Sequence, residues 1–208
     1  MPLSRSQQAS RTGVFLIAMG CIVHVSVTNP GFAQPKSKAP APPAAKSDAK
    51  SKPTPPVRYA THDLPQPVIE MREAILAAVR AGRVEELKTA IELNEMKPTF
   101  GDGPVPDPIG WLKQMSADGE GREVLAHIAN ILEAGFVTLP LGRDPENTAV
   151  FVWPHFAETD VRDLTPEREV ELLRLVPAAA AKAMRDKGAY DHWRIGIGAD
   201  GVWHFLRR

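Results

Sequence analysis

Two clusters hold the side chains best suited to chemistry in this chain: Trp153-Pro154-His155-Phe156, and Tyr190-Asp191-His192-Trp193-Arg194. If the segments carrying them share a sheet, Trp153, His155, His192 and Arg194 converge with His204. Indole, imidazole and guanidinium groups gathered in that way line a ligand groove. The same residues turned inward are core, with their polar tips satisfied locally, and that reading is favoured. Ligation of a metal is not signalled: His62, His127, His155, His192 and His204 show no HxH, HExxH or HxxxH spacing. His127, on a helix beside Glu123, reads as a flank residue.

Other motifs lack the context their chemistry needs. Gly196-Ile197-Gly198-Ala199-Asp200-Gly201 matches the dinucleotide fingerprint letter by letter. That fingerprint works through a following helix whose N-terminus holds the pyrophosphate, and only seven residues follow here. No cofactor is therefore expected, and the glycines read as a turn. Asp118-Gly119-Glu120-Gly121 hints at a calcium loop without the EF-hand spacing, and reads better as an acid-rich helix start. Covalent catalysis lacks parts: Ser116 has no nucleophile-elbow context, and the one cysteine, Cys21, sits far forward. Glu158, Asp160 and Asp163 read as a solvated turn rather than paired catalytic carboxylates.

The elements that position these residues follow from periodicity. Prolines 65 and 67, then Val68, Ile75 and Val79 ahead of Gly82, predict a helix over 67–81. Val84, Leu87 and Ile91 continue as a second helix over 83–95, an αα-hairpin. Residues 97–110 read as a loop, followed by a short helix from Pro108 to Ser116. Val124, Leu125, Ile128, Ile131 and Leu132 form a helical stripe closed by Gly135. The period then changes. Residues 136–139 and 148–153 read as strands around a polar turn at Gly142–Asn147. Thr165-Pro166 starts a helix that kinks or breaks at Pro177 and ends at Gly188. A final hairpin turns through Ala199, Asp200 and a left-handed Gly201. Its alternation puts Trp193, Ile195, Ile197, Trp203 and Phe205 on one face, and Arg194, Gly196, His204 and Leu206 on the other. The fold class expected is α+β: an N-terminal helical half packed with a small antiparallel sheet of about four strands, as two hairpins, in one domain over 57–208.

Charge is divided along the chain. Residues 1–56 hold seven basic residues and one acid, whereas residues 57–208 hold 18 basic and 24 acidic ones. An acidic domain repels phosphates, so no nucleic-acid partner is expected. Arg5 and Arg11 precede the apolar run Gly13–Val27, too short to span a bilayer. With Gly31-Phe32-Ala33 behind it, residues 1–33 read as a signal peptide cut between Ala33 and Gln34, leaving no membrane span after processing. An uncleaved anchor, or lipidation at Cys21, is the alternative and would tether the protein to a membrane. Pro, Ala, Lys and Ser fill almost all of residues 34–56, which hold no aromatic or large aliphatic residue. They read as a disordered proline-rich spacer with polyproline-II character and a reach of at most about 70 Å.

The segment Trp153–Phe205, with WPHFAE, LTPEREVELLRL and HWRIGIGADGVWHF, resembles a family of exported bacterial proteins of no assigned activity. The resemblance covers the last third of the chain. It implies export and a shared small domain, and carries no catalytic residue. The order of helices and hairpins is also weakly similar to cone-shaped NTF2-like folds, by analogy of order alone. The expected protein is a periplasmic or secreted, non-enzymatic binding or accessory module on a flexible spacer. Its expected partner is an envelope protein or a cell-wall polymer. The alternative is a small-molecule-binding or lyase-like pocket built on the aromatic, His and Arg residues.

Overall fold

The computed structural model describes residues 54–142 and 148–208. The expected signal peptide with Cys21, Ala33 and Gln34, nearly all of the spacer, and most of the turn at Gly142–Asn147 lie outside the described residues. Contacts divide the chain at residue 48, and the description concerns the second unit, residues 49–208.

Helix α1 (Gln66–Ala81) has proline in its first turn and ends at Gly82, whose φ of 65° is the left-handed conformation a helix stop of this kind uses. It buries Val68, Met71, Ile75 and Ala78 along one face. A 3-10 turn, Val84–Glu86, runs into α2 (Leu87–Glu92), which completes the αα-hairpin. Helix α3 (Pro108–Gln114) starts at Asp107, whose side chain accepts the Gly110 N–H. Helix α4 (Arg122–Leu132) carries the expected stripe, with Val124, Leu125, Ile128, Ile131 and Leu132 all buried. The expected break at Pro177 divides α5 (Pro166–Leu175) from α6 (Ala178–Lys187). Val176 before the proline is extended (φ −143°, ψ 152°), as clash with the pyrrolidine ring requires. Among the described residues no helix is long and apolar enough to cross a membrane.

The architecture is α+β, and the sheet differs from expectation. It has five strands in the order β1-β5-β4-β3-β2: β1 (Thr99–Phe100), β2 (Val137–Pro140), β3 (Ala149–Trp153), β4 (Arg194–Gly198) and β5 (Trp203–Arg207). The two expected hairpins join through antiparallel β3 and β4, and β1 adds to β5 in parallel, so the sheet is mixed. β1 lies in the segment expected to be loop. It pairs because Phe100 is buried, its ring 5.5 Å from that of Trp203. Nor is the helical part simply N-terminal, since α5 and α6 intervene between β3 and β4.

The C-terminal turn forms as expected: Gly198 N–H donates to Val202 O at 2.8 Å, and Gly201 has φ 87°. The face assignment does not hold along the whole strand. Ile197 pairs with Trp203 but Gly196 pairs with Phe205, so His204 is an extra residue, a β-bulge. Beyond it the alternation inverts. Leu206, fully buried, takes the core face with Ile195, Ile197 and Trp203, and Phe205 joins Val137, Val150 and Val152 on the opposite face. The cause is Gly196: a Cβ there would lie 2.4 Å from the Phe205 ring, so only a residue without a side chain seats that ring. Between the sheet and the helices, Trp153, Trp193, Trp203, Phe100, Phe136 and Phe156 fill the core.

Candidate functional site

His155 is fully buried, in the 3-10 turn after β3. Its Nε2 lies 3.2 Å from Glu171 Oε2 on α5, and its Nδ1 lies 3.3 Å from Thr159 Oγ1. The carboxylate assigns the tautomer: Nε2–H donates to Glu171, and Nδ1 accepts from the Thr159 hydroxyl. Glu171 also accepts from the Tyr59 hydroxyl at 2.9 Å and from Gly135 N–H at 2.7 Å. Burial raises the Glu171 pKa, but the hydrogen bonds from His155, Gly135 and Tyr59 outweigh it and hold the carboxyl below its usual range. The Tyr59 phenol shifts upward, through burial and then the adjacent carboxylate. Gly135 permits the close approach, since a Cβ there would meet the Tyr59 ring at 2.8 Å and His155 at 3.0 Å. Hydroxyl, imidazole and carboxylate are in line, as in a hydrolase triad. A ring with no exposure and both nitrogens engaged nevertheless serves to tie four segments together.

Trp153 is core, its ring 5.0 Å from Phe136. Arg194 lies opposite Arg207 across β4 and β5, on the face that bears Phe205. His204, at the bulge, is half-buried, and desolvation lowers its pKa against the pull of Asp200. His192 lines a cavity.

That cavity has a volume of about 260 Å³ and is walled by Met115, Glu123, His127, His192, Trp193 and Arg208, with Pro177 and Ala180 at the start of α6. The His127 and His192 rings meet edge to face with centroids 5.0 Å apart. Trp193 stacks near His127, at 6.4 Å and 29°. Glu123, one turn before His127 on α4, places Oε1 3.9 Å from His127 Nε2. Burial pushes the His192 pKa down to about 4, helped by the neighbouring His127 and Arg208 and opposed by Asp191 and Glu123. Burial likewise lowers His127, with Glu123 opposing and Arg208 assisting. Both imidazoles are therefore neutral near pH 7, with lone pairs available to a donor or a metal.

The helix that presents His127 is fixed by the acid-rich motif before it. Asp118 accepts the backbone N–H groups of Glu120, Gly121 and Arg122 at 3.2, 3.1 and 3.1 Å, and also bonds the buried Ser116 hydroxyl. Asp118-Gly119-Glu120-Gly121 thus starts α4, and its oxygens are engaged by backbone. The glycines of 196–201 serve the β4–β5 turn, with a strand following and no helix. In the acidic turn after β3, Asp160 pairs with Arg162, and that pairing lowers its pKa to about 2.

Of the five sequence candidates, His192 is the one that lines this cavity. His127, Glu123, Met115, Trp193 and Arg208 complete it. The sequence signal for His127 was its place on the α4 helix beside the buried Val124 and Ile128, but its partner comes from the approach to β4. Among the described residues no three His, Cys, Asp or Glu side chains are grouped so as to hold a metal ion. Comparison of the chain with family models, with curated proteins and with solved structures finds no match in any of the three.

Proposed function

We propose that this chain is an exported envelope protein, a non-enzymatic binding module carried on a basic spacer, and that its ligand site is the His127–His192 cavity. The observation that supports the reading is the convergence of two neutral imidazoles, an indole, a carboxylate and a guanidinium on one concave space. The hydroxyl–imidazole–carboxylate set around His155 is engaged in holding the fold. The leader-like residues 1–33 and the proline- and lysine-rich stretch after them support the placement in the envelope.

Two measurements test this. A ligand screen reads the melting temperature together with the imidazole NMR resonances of His127 and His192. A ligand that raises the Tm and moves both resonances, with the effect lost in His192→Ala, is the expected result. A screen in which every stabilising compound leaves both resonances unmoved overturns the cavity as the site. The intact mass from fractionated cells tests the placement: a chain beginning at Gln34 in the periplasm is expected, and a full-length chain in the cytosol would refute export.

A further inference from the structure

We propose that the His127–His192 cavity takes a soft monovalent transition-metal ion, Cu(I), held by the two imidazoles and the Met115 thioether. The inference rests on the reading of this cavity as the ligand site and names the ligand's chemical class. With metal–nitrogen bonds of about 2 Å, two imidazoles that share an ion bring their ring centroids to about 5–6 Å. Those of His127 and His192 are 5.0 Å apart on the wall of an open cavity.

The third donor decides which ion fits. No three His, Cys, Asp or Glu side chains among the described residues are grouped to hold a metal, so a borderline ion that wants a third nitrogen or oxygen donor is poorly served. The donor on the same wall is the sulfur-bearing Met115. Thioether with imidazole is a soft set, which favours Cu(I) over Zn(II), Mg(II) or Ca(II). Charge points the same way. The Arg208 guanidinium lines the cavity, and its repulsion costs a divalent ion twice what it costs a monovalent one. Glu123, 3.9 Å from His127 Nε2, offsets part of that charge. Trp193, Pro177 and Ala180 supply apolar wall, which suits an ion that needs few water ligands.

The test uses the full chain with Cys21→Ser, which removes its single thiol. It is titrated anaerobically with Cu(I) against a chromophoric chelator, and the histidine resonances are followed by NMR. One ion per chain is expected, with the His127 and His192 resonances moving together and those of His155 unmoved. Met115→Leu is expected to weaken Cu(I) by at least about tenfold, the lower end of what loss of a metal-site partner costs. Copper binding that leaves the two resonances in place, or that is indifferent to Met115→Leu, overturns the proposal. The resonances of the chain that retains Met115 decide the matter even if the leucine variant fails to fold. No copper binding, with an organic ligand moving both resonances, overturns Cu(I) and leaves the ligand-cavity reading standing. If neither ions nor compounds move the pair, both fall.

Discussion

His155 and Glu171 meet at 3.2 Å across the junction of β3 and α5, with the imidazole fully buried and the carboxylate side chain 13% exposed. Three donors converge on that one carboxylate, from segments far apart in the chain. The group is costly to remove, because its loss leaves a buried imidazole and the Gly135 amide without an acceptor.

Glu171→Gln is expected to destabilise the domain by about 1–3 kcal/mol at neutral pH, the cost of leaving such buried groups unsatisfied. The pH dependence carries a sign. The folded-state pKa of Glu171 lies below the ordinary glutamate value of 4.5, so its contribution is full above that value and is lost as pH falls through the folded pKa. Thermal melts of the two proteins from pH 7 downward should therefore converge as the solution becomes acidic. Curves that stay parallel would contradict the assignment.

His192 is expected to titrate near pH 4 in chelator-treated protein, well below an exposed histidine. Because its folded pKa is depressed, its contribution to stability is complete above about pH 6.5 and falls away as pH drops toward 4. His127→Ala removes a neighbouring charge and opens the site to water, so the His192 midpoint should rise. NMR titration of the ring protons checks both statements.

Gly196 and Phe205 are expected to couple. Gly196→Ala puts a methyl group within the Phe205 ring, a clash that costs about 1–3 kcal/mol as overpacking does. In a Phe205→Ala background the same substitution should cost little. A double-mutant cycle by urea denaturation measures the difference, and additive effects would remove the contact as the cause of the bulge.

Asp118→Ala is expected to lower the Tm by a few degrees, because it strips three backbone donors at the start of α4 of their acceptor. The same variant should broaden the His127 resonance, since the helix that carries it loses its fixed first turn. Differential scanning fluorimetry and NMR report the two effects separately.

Local chemistry made part of the fold readable from sequence. Gly82, Thr165-Pro166, Pro177 and Gly188 each mark a helix boundary through backbone properties that belong to the residue itself. The Gly198–Gly201 turn is of the same kind. What stayed hidden depends on contacts between distant residues. β1 is two residues long, too short to show a period, and exists because Phe100 has a place beneath Trp203. The bulge at His204 depends on the space above Gly196. His127 met His192, and His155 met Glu171, only once α4, α5 and the approach to β4 had packed. In the second aromatic cluster Tyr190 is core, His192 and Trp193 border the cavity, and Arg194 lies on the face that bears Phe205, a division set by tertiary packing rather than by the local sequence.

The segment that leads into the domain has a mechanical consequence. Arg58 exchanges two backbone hydrogen bonds of 2.8 Å with Phe136 beside β2, and Tyr59 next to it grips Glu171 at 2.9 Å. A pull applied to the chain ahead of residue 57 reaches these two moorings before it reaches any helix. The first is a pair of backbone bonds beside the sheet and the second a phenol held by a charged acceptor. Tension is thereby divided between the sheet and α5, and the cavity walls beside α4 and α6 lie behind that anchorage.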